Sequence, residues 1–215
     1  MIGRRTLVGA LALSPIGLAT PLRAGVPREA RLGFRVFRND SPIGTHILTF
    51  ARDGERTEVR IAIDLAVRFL GITAYRYTHR NTERWSGEQL LSIDSETDRN
   101  GRAYRVQARA NGRGIEVDGT QGGRYLAPAD AVSTSYWHGQ FLRSVKIDTQ
   151  GGRLLRTGIE ELGEETIRIA GTAAPARRFR VSGDLVLDIW YDREGIWSGL
   201  LFTGEDGSTI RYERT

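Results

Sequence analysis

Three histidines and the absence of cysteine define most of the chemistry that this sequence could perform. His46, His79 and His138 are its only histidines, and none lies three to five residues from another. Zinc sites on a helix or hairpin usually need two ligands at such a spacing, so no metal site is encoded locally. With no cysteine, thiolate catalysis and thiolate metal ligation are excluded. Phosphate-loop, dinucleotide and serine-nucleophile motifs are also absent. We therefore predict no metal, no cofactor and no catalytic residue.

One enzymatic interpretation stays open around His138. Ser135 lies three positions before this histidine, and Asp130 lies a little further upstream. An imidazole within hydrogen-bond distance of a carboxylate or hydroxyl could serve a hydrolase or isomerase as a general base. Because no motif supports this arrangement, a binding or structural role is the preferred interpretation.

Aromatic side chains mark the segment around residue 136. Tyr136 and Trp137 stand between Ser135 and His138, so two large rings lie beside hydroxyls and an imidazole. Tyr and Trp combine an apolar ring with a hydrogen-bonding tip, which suits lipid, quinone or glycan surfaces. The same rings could instead plug one end of a sheet as core residues. The two roles do not exclude each other.

The elements that must position these residues follow from a hydrophobic period of two. From Val59 to Phe69 every odd-numbered residue is apolar, whereas the even-numbered positions include Arg60, Asp64 and Arg68. Alternate side chains of a β-strand point to opposite faces, so this run forms one apolar and one polar face. A helix would scatter the same residues around its circumference. The pattern therefore predicts a strand.

Turn signals recur about every ten residues from Arg31 to the C-terminus, a spacing typical of antiparallel meanders. They include Asp53-Gly54, Asn100-Gly101, Asn111-Gly112, Glu194-Gly195 and Asp206-Gly207. Gly, Asn and Asp accept the positive φ angles of tight hairpins. We predict an all-β fold, a large meandering antiparallel sheet curled into a barrel or half-barrel. The stretch 128–142 lacks the alternation and predicts one short helix or ordered loop.

The N-terminus has the three parts of a secretory signal peptide. A basic head with Arg4 and Arg5 precedes an apolar run from Leu7 to Leu18, and small residues follow up to Ala24. The apolar run is shorter than the about 20 residues that span a bilayer. We predict a signal peptide at residues 1–24, either of the twin-arginine type or an ordinary export signal that contains two arginines.

Removal of the signal peptide changes the charge of the protein. Residues 1–24 contain Arg4, Arg5 and Arg23 and no acidic residue, so the net charge falls from +5 to +2. Nucleic-acid binding needs a clustered basic surface, which a nearly balanced chain lacks. We predict a single mature domain at 25–215, periplasmic or secreted, with no nucleic-acid partner and no membrane-spanning segment.

The C-terminal part, the Tyr136-Trp137 pair and an early Pro42-Ile43-Gly44 turn carry a resemblance to a known family. The C-terminal residues concerned are Trp190-Tyr191-Asp192, Gly195, Trp197, Phe202, Asp206-Gly207-Ser208, Ile210 and Tyr212. With these residues the chain is similar to a family of uncharacterised exported bacterial proteins, grouped as a domain of unknown function. The resemblance implies a fold and no catalytic residue. The layout also resembles, more distantly, the periplasmic half-barrels that carry lipids or lipoproteins, an analogy of architecture alone.

Together these observations predict a periplasmic protein that binds an apolar or amphipathic ligand, a hydrophobic small molecule or lipid, on the concave face of its sheet. The predicted lining residues, in falling order, are Ile63, Leu65, Val67, Phe69, Tyr136, Trp137 and Trp190. Trp190 comes last because alternation places it opposite Ile189 and Tyr191. The first alternative is a structural or interaction module of the cell envelope without a small-molecule ligand. A filled interior would favour that alternative.

Overall fold

The computed structural model describes residues 30–69, 72–143 and 145–215. The predicted signal peptide at 1–24 and the side chain of Phe69 lie outside the described part. The first half of the described chain forms β1 (Arg31–Arg38), β2 (Ser41–Asp53), β3 (Arg56–Phe69), β4 (Ile72–Ser86), β5 (Gln89–Arg99), β6 (Arg102–Asn111), β7 (Gly114–Gly119) and β8 (Gly123–Ala127). The second half forms β9 (Val132–Ser133), a 3₁₀ helix (Gly139–Leu142), β10 (Val145–Ile147), β11 (Leu154–Ile169), β12 (Thr172–Gly183), β13 (Leu187–Asp192), β14 (Trp197–Thr203) and β15 (Thr209–Arg214).

These strands form one sheet in the order β8-β7-β6-β5-β4-β3-β2-β1-β15-β14-β13-β12-β11-β10-β9. Neighbouring strands are antiparallel, except that β9 and β10 are parallel. Strands β8 and β9 form the two ends of the sheet, so it is an open half-barrel. The predicted all-β meander is confirmed, and its curvature stops short of closure among the described strands.

The alternation in β3 separates the two faces of the sheet. Val59, Ile61 and Ile63 are buried, whereas Arg60 and Asp64, at positions of the opposite parity, are exposed. We call the face that carries the three buried residues the inner face. Fully burying one such side chain contributes roughly 1.5–3 kcal/mol, which fixes the register because a slip of one residue would expose the whole set.

The described residues between β8 and β11, 128–143 and 145–153, include the short strands β9 and β10 and are called the connecting segment; its loop around Trp137 packs on the inner face. Trp137 is fully buried, and its ring contacts Trp85 and Phe50 edge to face at centroid distances of 5.6 and 5.3 Å. The predicted short helix or ordered loop near 128–142 is confirmed as an ordered loop with a single 3₁₀ turn. The His138 imidazole caps that turn by accepting a hydrogen bond from the Gln140 amide at 3.1 Å.

Glycines fasten the connecting segment to the β7–β8 turn. The amides of Gln121 and Gly122 donate to the Gly151 carbonyl at 2.8 and 3.0 Å. A Cβ atom on Gly122 would lie 2.0 Å from the Gly152 carbonyl oxygen, so only glycine permits this approach. The segment is thus attached at the end of the sheet formed by β7 and β8.

Candidate functional site

A cavity of about 550 Å³ opens on the inner face, beside the region filled by Trp137. Small-molecule sites measure roughly 300–1,000 Å³, so the cavity has the size of a ligand pocket. Its walls come from strands at the centre of the sheet and from the connecting segment. The principal apolar lining residues are Ile43, Ile61, Ile63, Leu65, Phe202 and Ile210.

The register of β2, β3 and β4 places two histidines beside this apolar wall. Ile63 pairs with His46 on one side and with His79 on the other, so the three residues form one row across the sheet. In the next row Leu65 pairs with Tyr77. All five side chains line the cavity. Residues of one row share a face, and the row therefore brings imidazoles and apolar groups together.

His46 is the most deeply buried polar side chain of the site, with an exposed fraction of 1%. Its ring meets Trp197 and Tyr212 edge to face at 5.2 and 5.8 Å, with Phe34 at 6.2 Å. Neither ring nitrogen has a hydrogen-bond partner among the described residues. Burial, with a smaller contribution from His79, lowers the pKa of His46 to about 3, so the imidazole is neutral at pH 7.

His79 is also buried, but one of its nitrogens is occupied. Nδ1 lies 2.8 Å from the Thr97 hydroxyl, and the ring stacks on Tyr77 with a centroid distance of 6.4 Å. Burial and then the nearby Arg80 lower the pKa of His79 to about 4. Burial raises the pKa of Tyr77, which therefore keeps its proton. The two groups add neutral hydrogen-bonding capacity to the inner wall.

Charged side chains of the lining lie at the more exposed rim. Arg38 donates to Asp206 at 2.6 Å, and the guanidinium of Arg99 lies 3.4 Å from both Glu205 and Gln150. Hydrogen bonds from Ser208 and then from Arg38 lower the pKa of Asp206. The cavity thus has a neutral inner wall and a charged rim of both signs.

Tyr136 is the aromatic residue among those that the connecting segment contributes to the cavity lining. Its backbone has φ +68°, and its carbonyl accepts a hydrogen bond from the Tyr191 hydroxyl at 2.8 Å. Its ring contacts Phe141 and Trp197 at 5.0 and 5.2 Å. Burial raises the pKa of the Tyr136 phenol, so the group is a neutral donor at pH 7. These contacts fix the ring against the cavity.

A buried carboxylate secures the connecting segment next to the cavity. Glu83 accepts hydrogen bonds from Trp85 Nε1 and Ser135 Oγ, both at 3.0 Å, from Trp137 Nε1 at 3.3 Å and from Asn81 Nδ2 at 2.9 Å. Burial raises the pKa of Glu83, while the hydrogen bonds from Trp85, Asn81 and Trp137 act in the opposite direction. Ser135 also lines the cavity, so Glu83 holds one of its walls in place.

The structure places four of the predicted lining residues together at the cavity. These are Ile63, Leu65, Val67 and Tyr136. Trp137 lies outside the lining, in the filled core beside Glu83. Trp190 points to the outer face, where Nε1 donates to Glu165 at 2.6 Å and Arg178 lies over the ring. Phe69 lies outside the described side chains.

Sequence reasoning missed His46, His79 and Tyr77 as lining residues. A signal was available, because His46 shares its parity in β2 with the buried Leu48 and Phe50. A histidine on the apolar parity of a strand points inward with its apolar neighbours. The alternation in β2 does not indicate, however, that the connecting segment leaves this part of the inner face uncovered.

Three further observations concern metals, the place of His138 and membranes. Within residues 30–69, 72–143 and 145–215, no group of three or more His, Cys, Asp or Glu side chains is arranged to hold a metal ion. His138 stacks on Trp85 at 5.0 Å, away from the cavity lining. In the same part of the chain no helix has the length and apolar character needed to cross a membrane.

Comparison with protein families now adds to the geometry. The model of a domain of unknown function (DUF6134) matches residues 34–215. The chain belongs to this family. The DUF6134 match spans β1 to β15 almost completely and so includes every strand that lines the cavity. It confirms the expected resemblance to a domain of unknown function.

A solved structure shares the fold of this DUF6134 chain. It is a beta-barrel-like protein of the domain of unknown function DUF1849 from Brucella abortus, with a TM-score of 0.56 and 9% sequence identity. The alignment covers 86% of this chain and 94% of that one. At this identity the likeness concerns the fold alone. No curated protein matches the sequence.

Proposed function

We propose that the mature DUF6134 protein, residues 25–215, is exported to the periplasm and binds there an apolar or amphipathic small molecule. The observation that carries this proposal is the cavity of about 550 Å³ on the inner face. Its walls are largely aliphatic and aromatic, and a few polar groups converge on them, as in small-molecule sites. Export is supported by the signal-peptide pattern of residues 1–24.

The distribution of side chains along β3 favours this proposal over a purely structural envelope module. A module without a ligand would have the whole inner face filled at core density. The Val59 end of β3 lies in the filled core, whereas Ile63, Leu65 and Val67 line the cavity. The connecting segment covers only part of the inner face, and the uncovered part is the binding site.

Native mass spectrometry of protein purified from its own periplasm tests the binding. We expect a reproducible additional mass on the wild-type protein that is lost in Leu65→Trp, because the larger side chain occupies the cavity. Val186→Trp is the matched control, since Val186 is exposed and lies outside the lining. An apo mass for the wild type, together with no binding of a hydrophobic fluorescent probe, would contradict the proposal.

N-terminal sequencing of the periplasmic protein tests the export. We expect the sequence to begin at Gly25, because Leu22 and Ala24 fit the recognition positions of a signal peptidase. The double substitution Arg4→Lys and Arg5→Lys distinguishes the two export routes. A twin-arginine signal loses export with this change, whereas an ordinary signal keeps its positive charge and remains active. Full retention of the wild-type protein in the cytoplasm would refute the periplasmic location.

A further inference from the structure

One of the charged side chains at the rim, Arg99, points to the inner side of the sheet. It is the last residue of β5 and shares its parity with Ser95 and Thr97, both of which are buried. Side chains of equal parity point to the same face of a sheet. Arg99 also pairs across the sheet with Tyr77 of β4, which lines the cavity. The strand therefore holds the Arg99 guanidinium at the rim, next to the wall that β4 contributes.

The contacts of Arg99 are weak in comparison with those of the second arginine at the rim. Its Nη1 lies 3.4 Å from Glu205 and its Nη2 3.4 Å from Gln150, longer than the about 3.2 Å of ordinary N–H···O hydrogen bonds. Arg38, by contrast, donates to Asp206 at 2.6 and 3.3 Å. The Glu205 side chain is 95% exposed, and ion pairs with exposed partners contribute little. A ligand can therefore replace the partners of Arg99 at low cost.

The part of Arg99 that a ligand can reach is the pair of terminal nitrogens. Nε is enclosed, without a partner among the described residues, and takes no part in binding. Nη1 faces the almost fully exposed Glu205, and 40% of the Arg99 side chain is exposed. A carboxylate can accept two parallel hydrogen bonds from Nη1 and Nη2, a geometry that arginine offers and lysine does not.

Tyr75 supplies a further donor near Arg99. It lines the cavity from β4, two positions before Tyr77 and on the same face. Burial raises the pKa of Tyr75, against a smaller lowering by Arg99, so the phenol keeps its proton at pH 7. A protonated phenol donates one hydrogen bond. An anion at this part of the rim thus finds N–H donors, an O–H donor and a positive charge.

The charges of the lining indicate a ligand with a single negative charge. Arg38 is held by Asp206, so among the described lining residues Arg99 is the cation with a weak partner. A head group with two negative charges would leave one of them uncompensated. On the inner wall His79 and Tyr77 are neutral, and a charge placed there would be desolvated without a counter-ion. The lining therefore fits a monoanionic head at the rim and an apolar chain further in.

We propose that the ligand of this cavity is a single-chain amphipathic carboxylate, that Arg99 binds the carboxylate at the rim, and that the apolar chain extends along Ile63 and Leu65. This inference rests on the proposed binding function and specifies its substrate class. The carboxylate replaces Glu205 and Gln150 as the partner of the two terminal nitrogens. Glu205 competes with the ligand for Arg99, so removal of its charge should strengthen binding.

Displacement of the uncharged fluorescent probe N-phenyl-1-naphthylamine by matched ten-carbon amphiphiles tests the inference at pH 7.5. Decanoate has a negative head group, 1-decanol a neutral one and decyltrimethylammonium a positive one. For the wild-type protein we expect decanoate to displace the probe at an about tenfold lower concentration than 1-decanol, because hydrogen bonds between charged groups are the stronger ones. Decyltrimethylammonium should displace the probe least, because Arg99 repels it.

Three variants assign the preference for decanoate to Arg99. Arg99→Gln removes the charge and should lower the preference about tenfold, while the probe still binds. Glu205→Gln removes the competing carboxylate and should raise the preference about threefold. Arg105→Gln is the matched control, because Arg105 pairs with Glu96 on the outer face and lies outside the lining. It loses an equal charge and should keep the wild-type preference.

The outcomes separate this inference from the proposed function. Absence of probe binding to the wild-type protein would overturn both. Probe binding with equal or stronger displacement by 1-decanol would overturn the inference and leave the binding function standing. Strongest displacement by decyltrimethylammonium would do the same, because Glu205 would then be the recognition residue, and so would a preference that Arg99→Gln retains. If Arg99→Gln does not fold, Glu205→Gln decides, since a lower preference for decanoate in this variant contradicts the competition for Arg99.

Discussion

Acidification should destabilise this protein well above the pH at which its carboxylates titrate. His46, His79 and His138 are all buried, and burial lowers their pKa values to about 3, 4 and 4. In the unfolded chain a histidine has a pKa near 6.5 and takes up a proton first. Between these values the unfolded state binds more protons, so the free energy of unfolding falls as the pH falls.

The size of the effect follows from the difference between folded and unfolded pKa values. A pH of 5 lies about 1.5 units below the pKa of a histidine in the unfolded chain. Each histidine therefore lowers the free energy of unfolding by about 2 kcal/mol at this pH. Together the three histidines remove about 6 kcal/mol between pH 7.5 and pH 5, a large share of the 5–15 kcal/mol typical of a domain. Glu83, whose pKa is raised, acts in the opposite direction, because its folded form gains the proton first as the pH falls.

Urea denaturation followed by tryptophan fluorescence at pH 7.5, 6 and 5 measures this effect. The three histidines alone lower the wild-type free energy of unfolding by about 6 kcal/mol across the range, and Glu83 opposes this loss equally in the wild type and in His46→Phe. We therefore expect His46→Phe to lose about 2 kcal/mol less than the wild type, since one titrating group is removed. Equal losses for the two proteins would refute the claim that His46 stays neutral in the folded state. A wild-type stability that is independent of pH would refute it for all three histidines.

Two further predictions concern the connecting segment, and both are measured by urea denaturation at pH 7.5. Glu83→Ala leaves two indole N–H groups, a hydroxyl and the Asn81 amide without their acceptor and should cost about 3–5 kcal/mol. Glu83→Gln should cost much less. The Asn81 side-chain amide can rotate by about 180° so that its Oδ1, which has no partner in the wild type, accepts from the new glutamine amide. Equal losses of stability in Glu83→Ala and Glu83→Gln would contradict the hydrogen-bond account. Gly122→Ala should cost about 1–3 kcal/mol through its clash with Gly152, whereas Gly112→Ala, which meets nothing within 4 Å, should be nearly neutral. Equal stability of the two alanine variants would show that the close approach is absent in solution.

The sequence was informative about strands and faces because these depend on local order. The alternation from Val59 to Phe69 predicts β3 and its buried side without reference to any other element. The same rule, applied to β2, would have placed His46 inward beside Leu48 and Phe50. Nearest-neighbour pairing then follows from the hairpin turns, which is why the meander was predictable.

The position of the connecting segment could not be predicted in this way. It depends on hydrogen bonds that Ser135 and Trp137 donate to Glu83. These two residues lie 52 and 54 positions after Glu83 in the sequence. No local sequence pattern predicts that a glutamate on the inner face accepts hydrogen bonds from two indole N–H groups. The boundary between the filled core and the cavity depends on where the connecting segment packs. The residue type of Trp137 fits either side of that boundary, so the sequence predicted a lining residue, whereas the ring lies in the core.

The pairing of β1 with β15 joins two strands that lie far apart in the sequence. The first and last strands lie side by side at the middle of the sheet, and the amide of Thr215 donates to the Gly33 carbonyl at 2.9 Å. The hairpins on either side can form from local contacts as the chain is synthesised, but this central seam requires the longest loop closure among the described strands. The cavity straddles the seam, since His46 lies on one side and Tyr212 on the other. A bound ligand would therefore join the two halves of the chain and slow their separation.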